Sequence, residues 1–187
     1  MADHLRLGVI GLFSSGKDYF SEYILDHYSA DHQSTSDAVR AQIKKNNLGN
    51  LDRDNMALVA NQTRIQEGND YFARLAYDLL DSKQQIWLVS GMRTIEEINY
   101  LKAQGFRIVL INVKPEIRYQ RAIKRGKIGE NISFEYFREQ EDLELHSKLS
   151  TFSLARVLEA YDYQLNNDGD LEQFNESIKG FIDSLIN

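Results

Sequence analysis

The sequence predicts an α/β fold of three layers, in which a parallel five-stranded sheet carries helices on both faces. Two observations lead to this fold class. Short apolar runs alternate with segments whose apolar residues recur every three or four positions, which is the pattern of strands separated by helices. The apolar runs are also continuous, as in strands that are covered on both faces of a parallel sheet. Ligands of such sheets bind beyond the carboxyl ends of the strands, so the residues that follow each strand are the first candidates for function.

Five segments are short enough to be strands, and four of them are rich in aliphatic and aromatic residues. They are residues 5–10, 32–36, 85–90, 106–113 and 161–165. The second of these is polar and ends in Ser and Thr residues that are suited to cap a helix. The other four are apolar enough for the interior of a sheet.

Seven segments show helical spacing of their apolar residues, and several carry boundary signals. They are residues 17–27, 37–45, 56–80, 94–103, 115–125, 133–147 and 171–185. Gly68 is expected to break the long third segment, since glycine is a poor helix former. Thr94 and Glu97 form the pattern of a capping box, and Gly105 suits the end of the same helix. Pro115 suits the first turn of the next helix.

Composition limits the class of protein. The chain has 187 residues, no cysteine and one proline, so we expect a single domain over residues 1–187, without a linker, disulfides or thiolate metal sites. The net charge of −6 argues against general binding to nucleic-acid backbones. We expect neither a signal peptide nor a membrane-spanning segment, and therefore a cytoplasmic protein. The sequence gives no indication of oligomeric state.

The most specific motif follows the first predicted strand. Residues 11–18, Gly-Leu-Phe-Ser-Ser-Gly-Lys-Asp, have the G-x-x-x-x-G-K spacing of a phosphate-binding loop between a strand and a helix. In that context the loop N–H groups and the helix N-terminus bind phosphate oxygens, and the lysine reaches the β and γ phosphates. The alternative is a strand-to-helix turn that needs flexible residues. The predicted ATP-binding residues of this segment are Gly11, Leu12, Phe13, Ser14, Ser15, Gly16, Lys17, Asp18 and Tyr19.

Arginines recur where other strands end. Arg40 follows the second strand and Arg93 follows the third, and a planar guanidinium binds phosphate oxygens in pairs. Ser36 and Asp37 precede Arg40 and are either helix caps or part of the same site. Arg64 is a further candidate for binding an acceptor phosphate. Each helical arginine is otherwise interpreted as a solvated surface charge, and this applies most to Arg118, Arg121 and Arg125.

Other polar residues have simpler interpretations. The four histidines, His4, His27, His32 and His146, fall in no metal-binding pattern and are expected to be structural or exposed. The carboxylates at 139, 141, 142 and 144 are interpreted as a solvated helix face rather than a metal site. Trp87 is expected in the core.

Together these segments resemble P-loop kinases of the nucleoside monophosphate kinase type, along the whole chain. Residues 34–40 and 90–93 are similar to that family's two acceptor-side arginine segments, and residues 118–126 to the helix that leads into its lid. Residues 167–169, Asn-Asp-Gly, resemble the loop beside the donor adenine. A dephospho-CoA-kinase-like family is more similar still, and animal-type phosphomevalonate kinases and phage deoxynucleoside monophosphate kinases share parts of the pattern.

The resemblance implies a P-loop kinase fold with a small lid at about residues 126–145, with ATP and Mg²⁺ as cofactors. It implies that Asn167 and Gly169 lie beside the donor nucleotide, and that Arg121 and Arg125 close over the site with the lid. Lys17, Arg93, Arg121 and Arg125 would then be catalytic, whereas Ser36, Asp37, Arg40, Arg64 and Arg93 would bind the acceptor.

The chain departs from the family pattern at two positions. Asp18 replaces the Ser or Thr that follows the loop lysine, and Ser90 stands where many relatives have an aspartate at the strand end. Both positions normally help to hold magnesium. A carboxylate at position 18 can bind the ion directly or through water, so Asp18 is the predicted metal ligand.

The leading hypothesis is an ATP- and Mg²⁺-dependent kinase acting on a small phosphorylated acceptor, first of all a nucleoside or deoxynucleoside monophosphate. The second hypothesis keeps the donor and changes the acceptor to dephospho-CoA, another small phosphate or an alcohol. The third, prompted by Asp18 and Ser90, is a nucleotide-binding regulator that does not transfer phosphate.

Overall fold

The computed structural model describes residues 4–126, 132–146 and 154–186. Its centre is a five-stranded parallel sheet with the strand order β2-β3-β1-β4-β5, which confirms the predicted fold class. The strands are β1 Leu5–Ile10, β2 Ala30–Ser34, β3 Ile86–Ser90, β4 Arg107–Asn112 and β5 Tyr163–Asn166.

Helices connect the strands and cover the sheet. The described residues contain α1 Lys17–His27, α2 Thr35–Asn46, α3 Arg53–Glu67, α4 Tyr71–Asp78, α5 Ile95–Ala103, α6 Pro115–Lys124, α7 Phe134–Leu145, α8 Leu154–Glu159 and α9 Leu171–Ile186. The predicted capping box at Thr94 and Glu97 is present, and the predicted break near Gly68 separates α3 from α4. Some details differ from the prediction. β2 spans Ala30–Ser34 rather than 32–36, because Thr35 already begins α2. α3 begins at Arg53, three residues earlier than predicted, and the six-residue helix α8 was not predicted.

The core lies on both faces of the sheet. On one face, Leu7 and Val9 of β1 pack with Phe20 and Ile24 of α1 and with Ile178 of α9. On the other face, α4, α5 and α8 cover Trp87 and Val89 of β3. Trp87 is 8 % exposed and belongs to the core, as expected. The sheet is thus a rigid platform whose strand ends are held by packing on both sides.

The order of the strands opens a crevice at the carboxyl end of the sheet. From β1 the chain passes to β2, towards one edge of the sheet, whereas from β3 it passes to β4, towards the opposite edge. Connections that diverge in this way leave a gap between neighbouring strand ends where ligands bind. Val9 of β1 pairs with Ser90 of β3, so the loop after β1 begins directly beside Ser90.

Candidate active site between two cavities

The loop between β1 and α1 has the backbone of an anion-binding turn. Gly16 is the N-cap of α1 with φ 94°, and Ser14 also has a left-handed backbone at φ 61°. A non-glycine residue in this region is strained, and such strain concentrates at functional sites. Because Gly16 provides no capping side chain, the first N–H groups of α1 are available to an anion and carry the positive end of the helix dipole.

Two buried hydroxyls in the loop lack a hydrogen-bond partner. The Oγ atoms of Ser14 and Ser15 are buried without a partner among the described residues. Buried polar groups almost always have a hydrogen-bond partner. Two neighbouring hydroxyls without one therefore fit a site whose ligand supplies the missing hydrogen bonds. Phosphate oxygens are suitable acceptors for both hydroxyls.

Asn167 locks the loop against the end of β5. Its Nδ2 donates to the carbonyl oxygen of Ser15 at 2.9 Å, and the amide is 6 % exposed. A Cβ on Gly16 would lie 2.5 Å from the same Nδ2, and a Cβ on Gly11 would lie 2.5 Å from Ser15 Oγ. Both loop glycines are therefore required by close packing.

Lys17 and Asp18 begin α1 side by side. Lys17 Nζ lies 3.6 Å from Asp18 Oδ1, and the Asp18 side chain is 67 % exposed. Magnesium is usually held by one or two carboxylates, waters and substrate phosphates rather than by a full protein cage. One exposed carboxylate next to a phosphate-binding loop fits that donor set. Across the described part of the chain, no group of three or more His, Asp or Glu side chains is arranged to bind a metal by itself.

A cleft of about 470 Å³ lies on one side of the loop, at the ends of β2 and β3. It contains several of the residues predicted to bind the acceptor, namely Ser36, Asp37, Arg40 and Arg93, together with Gly11, Phe13, Lys17 and Asp18 of the loop. Its other wall is apolar and is formed by Met92, Leu154 and Val157. The cleft therefore combines cations near the loop with a wall suited to a small organic molecule.

The two arginines of the cleft are held by carboxylates. Arg40 Nη1 lies 2.5 Å from Asp37 Oδ1, and Arg93 Nη1 donates to Glu144 of α7. The backbone N–H of Arg93 also donates to Glu97 Oε2 at 2.6 Å, which fixes the turn after β3. An anion that enters the cleft would compete with Asp37 and Glu144 for the two guanidinium groups.

Arg64 lies outside the cleft. Its side chain is 5 % exposed and binds Glu97 Oε1 through Nε at 3.2 Å and Nη2 at 2.8 Å. Glu97 is completely buried and joins Arg64 to the backbone of Arg93. The structure thus links Arg64 through Glu97 to the turn that carries Arg93, one of the residues lining the cleft.

A second cavity of about 190 Å³ lies on the opposite side of the loop. It is lined by Gly16, Tyr19, Arg121, Arg125, Asn167, Leu171 and Phe174. Arg121 Nη2 lies 3.3 Å from both Asn167 Oδ1 and the Gly169 carbonyl oxygen. Burial and the neighbouring Arg125 lower the pKa of the Arg121 guanidinium, while Asp168 opposes them. A bound anion would relieve this crowding of positive charge.

Leu12 and Tyr19 complete the predicted loop segment. Leu12 packs against the apolar core under α5 and α8, and the Tyr19 hydroxyl donates to Asn175 Oδ1 at 2.7 Å. Leu12 therefore supports the loop through packing, whereas Tyr19 borders the second cavity.

His32 is a cleft residue that sequence reasoning missed. It was expected to be structural or exposed, but it lines the cleft with its Nε2 2.8 Å from Ser90 Oγ. The available signal was its place on β2 two residues before Ser34, which puts both side chains on the same face of the strand.

The interpretation of the 139–144 carboxylates as a solvated face was wrong for Glu141, and Arg118 is not a surface charge. Arg118 is 2 % exposed and binds Glu141 of α7, with Nη2 2.8 Å from Oε2. Glu144 lies one turn further along the same helix and holds Arg93. These contacts fix α7 to α6 and to the turn that follows β3. Residues 127–131 of the predicted lid lie outside the described residues, so the lid as a unit stays a prediction.

The sequence is similar to known proteins along nearly its whole length. A UPF0200 protein from Methanoregula boonei is 30 % identical over 182 residues, covering 96 % of each chain, and one from Thermococcus kodakarensis is 27 % identical over 187 residues. That second match covers 95 % of this chain and 96 % of the relative. No family model matches the sequence.

No helix in the described ranges is long and apolar enough to cross a membrane.

Solved structures of kinases share the fold. Shikimate kinase from Bacteroides thetaiotaomicron superimposes with a TM-score of 0.63 at 11 % identity, covering 98 % of this chain and 99 % of the other. Shikimate kinase from Acinetobacter baumannii in complex with shikimate gives a TM-score of 0.57 at 14 % identity, covering 98 % and 95 %. These similarities establish the three-layer fold of P-loop kinases.

Proposed function

The chain belongs to the UPF0200 family, and we propose that it is an ATP-dependent kinase that acts on a small acceptor carrying a phosphate group. One observation carries this proposal. The phosphate-binding loop lies between two cavities, with Gly16 and Tyr19 facing the smaller one and Lys17 and Asp18 facing the larger one. A phosphoryl-transfer site needs this arrangement, with a donor and an acceptor approaching the same loop from opposite sides.

The smaller cavity suits the donor nucleotide. Tyr19, Phe174 and Leu171 offer apolar surface to a base, and Arg121 and Arg125 lie where a phosphate chain would enter the loop. The phosphates would then receive hydrogen bonds from the first turn of α1 and from Ser14 and Ser15, with Lys17 on the β and γ phosphates.

The larger cleft suits the acceptor. Arg40 and Arg93 supply two planar cations for an acceptor phosphate, and Ser36 and Asp37 lie beside Arg40. Nucleoside monophosphates are the first acceptor class to test, and dephospho-CoA-like phosphorylated alcohols are the second. The half-buried His32–Ser90 pair favours the second class, because it adds a proton-accepting group to the cleft.

The chemistry required of the protein is positioning and charge stabilisation. Asp18 would hold Mg²⁺ directly or through water, and the ion would neutralise charge on the β and γ phosphates. Lys17 would neutralise the same oxygens from the loop, and Arg93 would orient the acceptor. Closure of the region from Arg121 to α7 would exclude water and suppress ATP hydrolysis.

The test is acceptor-dependent ADP release by the wild type and by Lys17→Ala. We expect the variant to lose most turnover, since the loop lysine stabilises the transferred group. Lys179→Ala, an exposed residue of α9, is the matched control and should keep wild-type turnover. Tight ATP binding without ADP release for any acceptor would instead support a nucleotide-binding regulator. Near-wild-type turnover by Lys17→Ala would contradict the proposed site.

A further inference from the structure

We propose that the acceptor atom of the reaction is a hydroxyl oxygen, and that Ser90 and His32 together accept its proton. This inference rests on the proposed kinase function and narrows its acceptor class. It assigns a role to two residues that neither the loop motif nor the arginines explain.

The two side chains form a hydrogen-bonded pair in the larger cleft. His32 Nε2 and Ser90 Oγ are 2.8 Å apart, and both residues line the cleft. Ser90 is the last residue of β3 and pairs with Val9 of β1. β1 ends one residue later, at Ile10, and the loop of residues 11–18 follows. Ser90 and His32 thus share the cleft with Lys17 and Asp18 of the loop, and the proposal takes Ser90 Oγ as the link between the acceptor hydroxyl and the imidazole.

The surroundings prepare His32 to take up a proton. Burial lowers the pKa of His32 below its usual 6.5, so the imidazole is neutral at pH 7 and has a lone pair available. Four carboxylates oppose this effect by stabilising a positive imidazolium: Asp18 and Glu22 of α1, Asp31 of β2 and Asp37 of α2. Lys17, Arg40 and Arg93 are the cations that line the same cleft.

A hydroxyl acceptor needs such a group, whereas a phosphate acceptor does not. A phosphate is already anionic at neutral pH and can attack without losing a proton. An alcohol must lose its proton as the new bond forms, and a base positioned for this contributes about 100-fold to 10,000-fold in rate. A neutral imidazole in the cleft therefore favours an alcohol.

The step balances without a further reactant. The acceptor hydroxyl donates its proton to Ser90 Oγ while Ser90 passes its own proton to His32 Nε2. The acceptor oxygen forms a bond to the γ phosphorus, and the bond from that phosphorus to the β–γ bridging oxygen breaks, so that ADP leaves with the electron pair. His32 then returns the extra proton to solvent.

The protonation state of His32 can be measured on the full chain without any ligand. Long-range ¹H–¹⁵N NMR spectra distinguish a protonated from an unprotonated ring nitrogen, and Ser90→Ala identifies the signal through its change. We expect an unprotonated Nε2 and a protonated Nδ1 at pH 7. A protonated Nε2 would overturn the proposal, because that atom could not accept a proton from Ser90.

Kinetics supply the second readout, with two kinds of acceptor. One set contains AMP, CMP, UMP and their deoxy forms, and the other contains dephospho-CoA and glycerol 3-phosphate. ATP hydrolysis without an acceptor is measured as the background. We expect a product with a new C–O–P linkage, seen by ³¹P NMR as a phosphorus without a second phosphorus coupled to it. A product with a new P–O–P linkage would overturn the proposal.

The variants are His32→Gln, with His27→Gln as the exposed control. His32→Gln should lower kcat about 100-fold or more with little change in KM, and should remove the acidic limb of the pH–rate profile. Imidazole added to His32→Ala should restore part of the rate, which a purely structural role would not allow. Transfer at the wild-type rate by His32→Gln overturns this inference alone, whereas no transfer to any acceptor by the wild type overturns the kinase proposal with it.

Discussion

Gly16→Ala is the sharpest test of the loop geometry. The change adds one methyl group at a residue with φ 94°, where its Cβ would lie 2.5 Å from the Asn167 amide nitrogen. That nitrogen donates to the Ser15 carbonyl oxygen, so Asn167 must move and the hydrogen bond must break or lengthen.

The size of the effect follows from two contributions. A left-handed backbone costs an L residue about 1–2 kcal/mol relative to glycine. Loss of the buried hydrogen bond adds about 1 kcal/mol. The free energy of unfolding should therefore fall by about 2–3 kcal/mol, which corresponds to roughly 5–10 °C in Tm for a chain of this length. ATP affinity should fall as well, because the N–H groups that we propose to bind phosphate belong to the displaced loop.

The assay is denaturant unfolding combined with calorimetric titration of ATP. Gly180→Ala is the matched control, since nothing lies within 4 Å of its added Cβ in the exposed part of α9. That control should gain up to about 1 kcal/mol, because alanine is the better helix former. Unchanged stability and ATP affinity in Gly16→Ala would refute the proposed packing of the loop against Asn167.

Three further predictions concern charged groups. Glu141→Ala should lower the free energy of unfolding by about 3 kcal/mol or more in urea denaturation, because it leaves the buried Arg118 charge unpaired; replacing both residues by apolar ones should recover part of the loss. Glu144→Gln should lower the KM for a phosphorylated acceptor, because it weakens the competing partner of Arg93, and an unchanged or higher KM would contradict this competition. The contribution of neutral His32 to the free energy of unfolding should be complete above about pH 6.5 and should be lost as the pH falls through the folded pKa of His32. The reason is that burial lowers that pKa, so the unfolded chain binds more protons than the folded chain in this range. His32→Gln should flatten this part of the curve of unfolding free energy against pH.

The fold was predictable because its signals are local. Continuous apolar strands, capping residues such as Thr94 and breaks such as Gly68 each act over a few positions, so the sequence displays them directly. The turn from β1 into α1 was predictable for the same reason, since the spacing of its motif is contained within eight residues. Helix α8 escaped prediction because six residues are too few to show a helical period.

The partners of the site residues were not predictable, because they come from distant parts of the chain. Glu144 is 51 residues from Arg93, and His32 is 58 residues from Ser90. Only the folded sheet brings such groups together, and a carboxylate run or an isolated histidine looks the same in sequence whether it is solvated or buried. Arg64 was placed near the acceptor from sequence, but tertiary packing instead binds it to Glu97.

The most direct test of the account is transfer of an isotopically labelled γ-phosphoryl group from ATP to the acceptor panel, followed by mass spectrometry of the products. We predict label in an organic product that requires Mg²⁺ and Lys17, with the label attached through a hydroxyl oxygen. ATP binding that is retained while no labelled product forms with any acceptor would contradict the central claim that the two cavities meet at a phosphoryl-transfer site.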